Sequence, residues 1–217
     1  MFAVIFEVQP REGRFDEYLA LAKHLKPELE AIDGFIANER FTSTRTAGKI
    51  LSLSIWRNDI AVARWRSHGE HHAVQCKGRS EVFADYHLRV GEIVSDSAPP
   101  PGTTLEQQRF DTTEAGGAKL VTLTEVVVDP AAPDALRLAS AAVPQGAAVG
   151  PAEHEVFESI SNPGKFLLLA GWRETDAGER WTPQPTGVTS FRHRRVRIVR
   201  DYGMFDRREA PQFHASV

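Results

Sequence analysis

His68, His71, His72 and Cys76 form the most chemically loaded segment of this 217-residue sequence. On a helix, His68, His72 and Cys76 stack along one face in steps of four, and His71 lies beside His68 at a step of three. An imidazole takes and returns a proton near neutral pH, so one at a cleft mouth can act as a base or hydrogen-bond donor. Three readings stand for the segment: a proton-handling site, a solvated polar helix face, and a metal or haem ligand set. Zinc asks for four ligands, and a His-x3-His-x3-Cys column offers at most three with no carboxylate cluster nearby. Gly69 lies inside the run and is able to break the helix. Tyr86, a phenol in an apolar stretch, could donate to a substrate oxygen or pack. Trp65 and Trp56 could wall an apolar pocket or belong to the core, and Arg89 could bind an anion or form a strand-end salt bridge.

The elements that must position these residues follow from periodicity. Phe2 to Gln9 is β-rich and closed by Pro10, a first strand. Gly13 to Asp33 carries apolar residues at three- and four-residue spacing, a helix with a kink at Pro27 and a stop at Gly34. Phe35 to Thr44 and Ile50 to Arg57 are strands, Asn58-Asp59 caps a second helix from Ile60 to about Lys77, and Phe83 to Val94 is a last strand. The order β-α-β-β-α-β is the split βαβ unit.

That unit is written twice. Glu39-Arg-Phe41, Ser43, Lys49, Trp56-Arg57 and Arg64-Trp65 align without a gap on Glu155-Val-Phe157, Ser159, Lys165, Trp172-Arg173 and Arg180-Trp181, which uses all four tryptophans of the chain. The second copy reads as a strand Leu120–Val128, a short helix from Pro133 to about Val143, strands Glu155–Ile160 and Phe166–Trp172, a helical stub near Asp176–Trp181, and a strand Phe191–Tyr202. In this alignment Arg89 matches Arg197, Tyr86 faces Arg194, and Asn38 faces His154, to which no role attaches. From Trp65 to Phe83 the first copy has a long segment that the second has largely lost, and the histidine cluster goes with it. The second copy is therefore expected to be scaffold. The expected organisation is a first domain over 1–95 with the candidate site, a linker over 96–117, a degenerate domain over 118–205, and a loose tail over 206–217.

Composition narrows the function classes. A net charge of -3 argues against nucleic-acid binding by counterion release; the basic run from Arg192 to Arg200 alternates with Val196, Ile198 and Val199 as a strand would. A single cysteine permits no intrachain disulfide and fits a reducing cytoplasm. The apolar opening stops at Glu7, far short of a signal-peptide core, and no later stretch predicts a bilayer span. No phosphate loop and no nucleophile elbow occurs.

Trp56-Arg57, Trp65-Arg66-Ser-His-Gly-Glu-His71-His, Gln75, Gly78-Arg79, Phe83, Tyr86 and Arg89-Val90 together resemble the antibiotic biosynthesis monooxygenase family, of the dimeric α/β-barrel superfamily. The resemblance covers nearly all of residues 1–95, and the second copy looks like a diverged member. It implies an α+β fold: two tandem ferredoxin-like βαββαβ domains forming an intramolecular dimeric barrel. One chain would do what single-copy relatives do as homodimers, with further homodimerisation as the alternative. The family includes enzymes that oxidise polyphenols with dioxygen alone and haem-degrading monooxygenases. Haem-degrading relatives place a ligating histidine about ten residues beyond the helix tryptophan and an asparagine in the first strand. Here the first position is Gln75 and the second is missing.

The expectation is therefore a cofactor-independent monooxygenase acting on a small aromatic or enolisable compound. Its catalytic residues would be His71, His68 and Tyr86, and Trp65, His72, Trp56 and Arg89 would contact substrate. Neither metal nor cofactor is expected, with haem the runner-up. Nucleic-acid and membrane partners are not expected. The alternatives are a haem- or small-molecule-binding protein without turnover, and a structural protein with a vestigial cleft.

Overall fold

The computed structural model describes residues 1–129, 131, 134 and 150–211. The first half runs β1 (Phe2–Pro10), α1 (Phe15–His24), α2 (Lys26–Ala31), β2 (Phe35–Ser43), β3 (Ile50–Trp56), α3 (Asp59–Arg66), α4 (Gly69–Lys77), a π-helical turn (Gly78–Val82) and β4 (Phe83–Asp96). The second runs β5 (Leu120–Val127), β6 (Glu153–Ser159), β7 (Lys165–Trp172), α5 (Thr175–Arg180) and β8 (Ser190–Gly203). The short helix expected from Pro133 to about Val143 lies outside the described residues, as does the end of the tail.

All eight strands close into one antiparallel barrel in the order β1-β3-β2-β6-β7-β5-β8-β4. Within it β2-β3-β1-β4 and β6-β7-β5-β8 are the same four-strand arrangement, joined edge to edge through β2–β6 and β4–β8. Closure removes the free edges that two separate sheets would expose. Strand alternation then divides the side chains into two sets. Ala3, Ile5, Phe41, Leu53, Val121, Phe157 and Ile198 fill the barrel interior. Phe2, Val4, Phe6 and Val8 face outward under the helices of the first half.

The repeated residues hold the halves together. Lys49 Nζ lies 2.7 Å from Glu7 and 2.6 Å from Glu155, while Lys165 Nζ lies 2.7 Å from Glu125 and 2.5 Å from Glu39. Ser43 donates to Glu155, and Ser159 donates to Glu39 at 2.7 Å. Burial opposes the charge on both lysines, yet the flanking carboxylates outweigh it and raise both pKa values. Glu39, Ser43, Lys49 and their counterparts thus recur as the two ends of a symmetric ionic seam.

Two expectations about the helices need correction. The second helix is two helices, α3 and α4. Ser67 turns its hydroxyl back onto the Ala63 carbonyl at 2.9 Å, and His68 takes an extended conformation (φ -65, ψ 131) as the residue capping α4. The first helix breaks at Leu25, with Pro27 in the first turn of α2, and α2 ends at Ala31 because Ile32 is extended. Gly34 takes its left-handed φ of 93 in the turn that follows, closed by Phe35 N donating to the Ile32 carbonyl. The segment after β4 is pinned to the barrel: Arg109 N donates to Glu92, Thr113 N donates to the Ile198 carbonyl, and Leu105 packs on the interior core. The near part of the tail is anchored as well, because Glu209 accepts from Thr113 Oγ1, Ala115 N and Asp201 N.

Candidate active site in the first half

A cavity of about 250 Å³ lies between the outer face of the first half's sheet and helices α1 to α4. The even positions of β1 and β4 supply its apolar floor: Val4, Phe6, Leu88 and Val90. Leu21, Leu25 and Leu29 cover it from the first helical layer. On β2 and β3 the same outward alternation places Asn38, Arg40, Ser52 and Ser54 in the lining. Asn38 Nδ2 donates to Ser52 Oγ at 3.0 Å and to the Leu53 carbonyl at 3.1 Å. The result is an apolar chamber with a polar strip along one wall, the usual build of a small-molecule site.

His71 lines this cavity with Trp65. The two rings stack with centroids 4.1 Å apart and planes 13° from parallel. His71 Nδ1 sits 2.8 Å from the Trp65 carbonyl oxygen. A carbonyl only accepts, so Nδ1 carries a proton, and in the neutral ring Nε2 presents the lone pair; the Gln75 amide approaches that atom at 3.4 Å. The break between α3 and α4 makes this possible, since it lets the chain turn back so that His71 reaches the last turn of α3.

Tyr86 also reaches the lining. Its phenol oxygen accepts from Arg207 Nη1 at 2.6 Å, which leaves its own proton to be donated elsewhere. Tyr202 stands beside it, and burial together with the neighbouring Tyr86 pushes its phenol up to about 12 against the pull of nearby arginines.

The other expected site residues divide. His72 lines the cavity, with Cys76 Sγ 3.7 Å from its Nε2. His68 stacks on Trp65 at 5.8 Å and lies 3.6 Å from Glu28, but it is not part of the lining. The column His68–His72–Cys76 therefore spans a helix cap and not one helix. Trp56 does not reach the cavity: it is fully buried among Phe2, Leu29 and Ala61, with its indole donating to Ser54 Oγ at 2.9 Å. Arg89 is excluded by strand alternation. It occupies an odd position of β4, points into the barrel at 1% exposure, and pairs with Glu7 at 2.7 Å and Glu153 at 2.9 Å. Among the described residues no group of three or more His, Cys, Asp or Glu is placed to hold a metal ion. No helix among them is long and apolar enough to cross a membrane.

Comparison with known proteins gives this geometry a family. The family model for antibiotic biosynthesis monooxygenase matches residues 1–77. A jasmonate monooxygenase of Pyricularia oryzae is 40% identical over 218 residues, which covers 99% of this chain and 98% of that protein. The chain belongs to the antibiotic biosynthesis monooxygenase family. An uncharacterised protein of Bacillus subtilis is 38% identical over 61 residues, 28% of this chain and 51% of its own length. A crystal structure of an aldoxime dehydratase in complex with butyraldoxime shares the fold, with a TM-score of 0.56 at 13% identity over 91% of this chain and 79% of that one.

Strand register shows how the second half of this family member differs. Asn38 opposite Ser54 and Arg40 opposite Ser52 become His154 opposite Ala170 and Val156 opposite Leu168. On the other side, Leu88 opposite Phe6 and Tyr86 opposite Val8 become His193 opposite Thr124 and Phe191 opposite Val126. The gapless matching of the last strands is thus corrected by three positions: Tyr86 corresponds to Phe191, and Arg89 to Arg194, which pairs with Glu125 as Arg89 pairs with Glu7. Sequence reasoning missed Tyr18, Arg40, Ser52, Tyr202 and Arg207 in the first-half cavity. Arg40 carried a legible signal, a charge replaced by Val156 inside an otherwise matched run. Arg207 carried none, since only the anchored tail brings it to Tyr86.

Proposed function

We propose that this chain is a monooxygenase that transfers one atom of dioxygen to a small, mainly apolar molecule held in the first-half cavity. The jasmonate named for the Pyricularia oryzae relative is the example we would try first. His71 acts as the proton acceptor through Nε2, Tyr86 donates to a substrate oxygen, Trp65 forms the wall beside the reacting carbon, and His72 borders the mouth. His68 orients Trp65. The observation that supports this reading most is the His71 ring, stacked on Trp65 and fixed by the Trp65 carbonyl so that its accepting nitrogen belongs to a largely apolar chamber.

The substrate class is a phenolic or enolisable compound, and jasmonate, a cyclic ketone, meets that description. Along the cofactor-free route, Nε2 removes the proton beside the carbonyl and the resulting anion passes an electron to dioxygen. The CH2 group then becomes C=O while the second oxygen atom leaves as water. The substrate supplies all the electrons, so no external reductant enters the balance. A low-dielectric chamber favours the step by keeping bulk water from the anion.

The test is incubation of the protein with jasmonic acid under 18O2, followed by mass spectrometry. The expected product carries one heavy oxygen atom without added reductant. Unchanged substrate with no oxygen uptake would reject jasmonate, and a strict need for a reductant would reject the cofactor-free route.

A further inference from the structure

We infer that Arg40 is the anchor for a carboxylate, so that the cavity takes an apolar molecule as its free acid and discriminates against the neutral ester of the same skeleton. This rests on the reading above that the cavity is the substrate site, and it adds a specificity-determining residue to it.

The charge distribution of the chamber carries the inference. Arg40, Arg66, Arg79 and Arg207 all line it, and no aspartate or glutamate does. A guanidinium facing a largely apolar space without a carboxylate is costly unless something anionic arrives. Arg207 is engaged with Tyr86 and with the Gly203 carbonyl. Arg40 has no carboxylate partner either: among the described residues none lies within ion-pair distance of it, and its Nε, like that of Arg79, is buried without a hydrogen-bond partner. Arg40 differs from Arg79 in lying on the sheet wall beside Ser52 and Tyr18. The nearest acid in sequence is Glu39, which strand alternation turns to the opposite face. There Lys165, Ser159 and Asn162 hold it.

Two groups beside Arg40 on the sheet wall are neutral. Ser52 stands across from it on β3. The Tyr18 phenol is buried beside both, and burial raises its pKa in spite of the opposing pull of Arg40, so it remains un-ionised and supplies no countercharge. A planar guanidinium flanked by two hydroxyl groups matches a carboxylate, which accepts two parallel N–H bonds and further O–H donors. The second half has no equivalent, because Val156 and Leu168 occupy the corresponding cross-strand pair.

The experiment measures dissociation constants of the full chain for two matched pairs, jasmonic acid with methyl jasmonate and 4-phenylbutyric acid with its methyl ester. Wild type is expected to bind at least one acid about 30-fold or more tightly than its ester, the least that a desolvated charge pair is worth. Arg40→Met is expected to bring that acid to the level of its ester and leave the ester unchanged, while Arg40→Lys retains part of the preference. Should Arg40→Met fail to fold, as its melting curve would show, Arg40→Lys takes its place: a reduced preference supports the anchor, and an undiminished one overturns it, because Arg66, Arg79 and Arg207 also line the cavity. Esters equal to acids in both pairs, absence of acid binding in both, or a preference that survives in a folded Arg40→Met protein would overturn the anchor. Acid preference without oxygen uptake supports the anchor and rejects the monooxygenase reading. Preference confined to the phenylbutyrate pair supports the anchor and rejects jasmonate.

Discussion

The two halves of the barrel share strand order, ionic seam and buried tryptophans, yet they treat the outer face of the sheet in opposite ways. In the first half, α1 to α4 arch over that face and leave a chamber edged by His71 and by the strand residues Arg40, Ser52, Asn38 and Ser54. In the second, the corresponding strand positions are Val156, Leu168, His154 and Ala170, and Trp181 lies on the sheet against Trp172 and His193 at 5.7 and 5.3 Å. What the halves hold in common joins them; what differs, among the described residues, is the lining of the outer face. A duplicated fold keeps its seam in both copies because each copy supplies half of the other's ion pairs, whereas one chamber suffices for chemistry.

The sharpest way to break this comparison is at the seam. Lys49→Met leaves Glu7 and Glu155 without their shared cation, and Lys165→Met does the same to Glu125 and Glu39. Each is expected to cost about 3 kcal/mol or more in urea unfolding, as removal of one partner from a buried pair does. Near-equal losses are the signature of a symmetric seam, and a large inequality would refute the symmetry.

Next in size is His71→Ala. It is expected to lower kcat by roughly 100-fold or more, the contribution of a positioned general base, while the buried second-half histidine variant His193→Leu leaves kcat close to wild type. Steady-state oxygen uptake by both variants distinguishes catalysis confined to the first half from catalysis shared between halves.

A smaller effect concerns pH. His193 takes the place that Leu88 holds in the first half, with Nδ1 2.9 Å from Thr124 Oγ1, and burial together with Arg195 lowers its pKa to about 4. The folded state therefore binds its proton later than the unfolded chain does. The stability this contributes is complete above the unfolded value of about 6.5 and declines as pH falls toward 4. Between pH 7 and pH 5 it amounts to about 1–2 kcal/mol. Urea midpoints across that range should show a slope that His193→Leu reduces; an unchanged slope would assign the acid sensitivity elsewhere.

The smallest effect is expected from Tyr86→Phe, which makes this position resemble Phe191. Loss of one neutral hydrogen bond to substrate lowers kcat by about 5-fold. A variant with wild-type kcat would remove Tyr86 from the reaction and leave it as a packing residue held by Arg207.

Much of this was legible in the residues. Periodicity located the described strands to within two residues or so at most ends, because half-buried strands and amphipathic helices impose periods of two and about 3.6 on a sequence. The repeat of Glu39, Ser43 and Lys49 was visible as well, although its meaning was not, since an ion pair between halves cannot be read from spacing. The histidine segment and Trp65 were recognisable as chemistry-bearing by residue type. Trp56 and Arg89 were indistinguishable from them until the register assigned one to the core beneath α3 and the other to the barrel interior.

The amino-acid sequence alone determined the duplicated split-βαβ unit, the loss of the histidine segment from the second copy, and the family signature in the first, because these depend on residue order and local period. Tertiary structure decided which histidines meet the chamber, which arginines line it without an acid among them, and how the last strands align. Those outcomes depend on barrel closure, on the turn at Ser67–His68, and on side chains from distant segments converging on one outer face, none of which leaves a mark in local order.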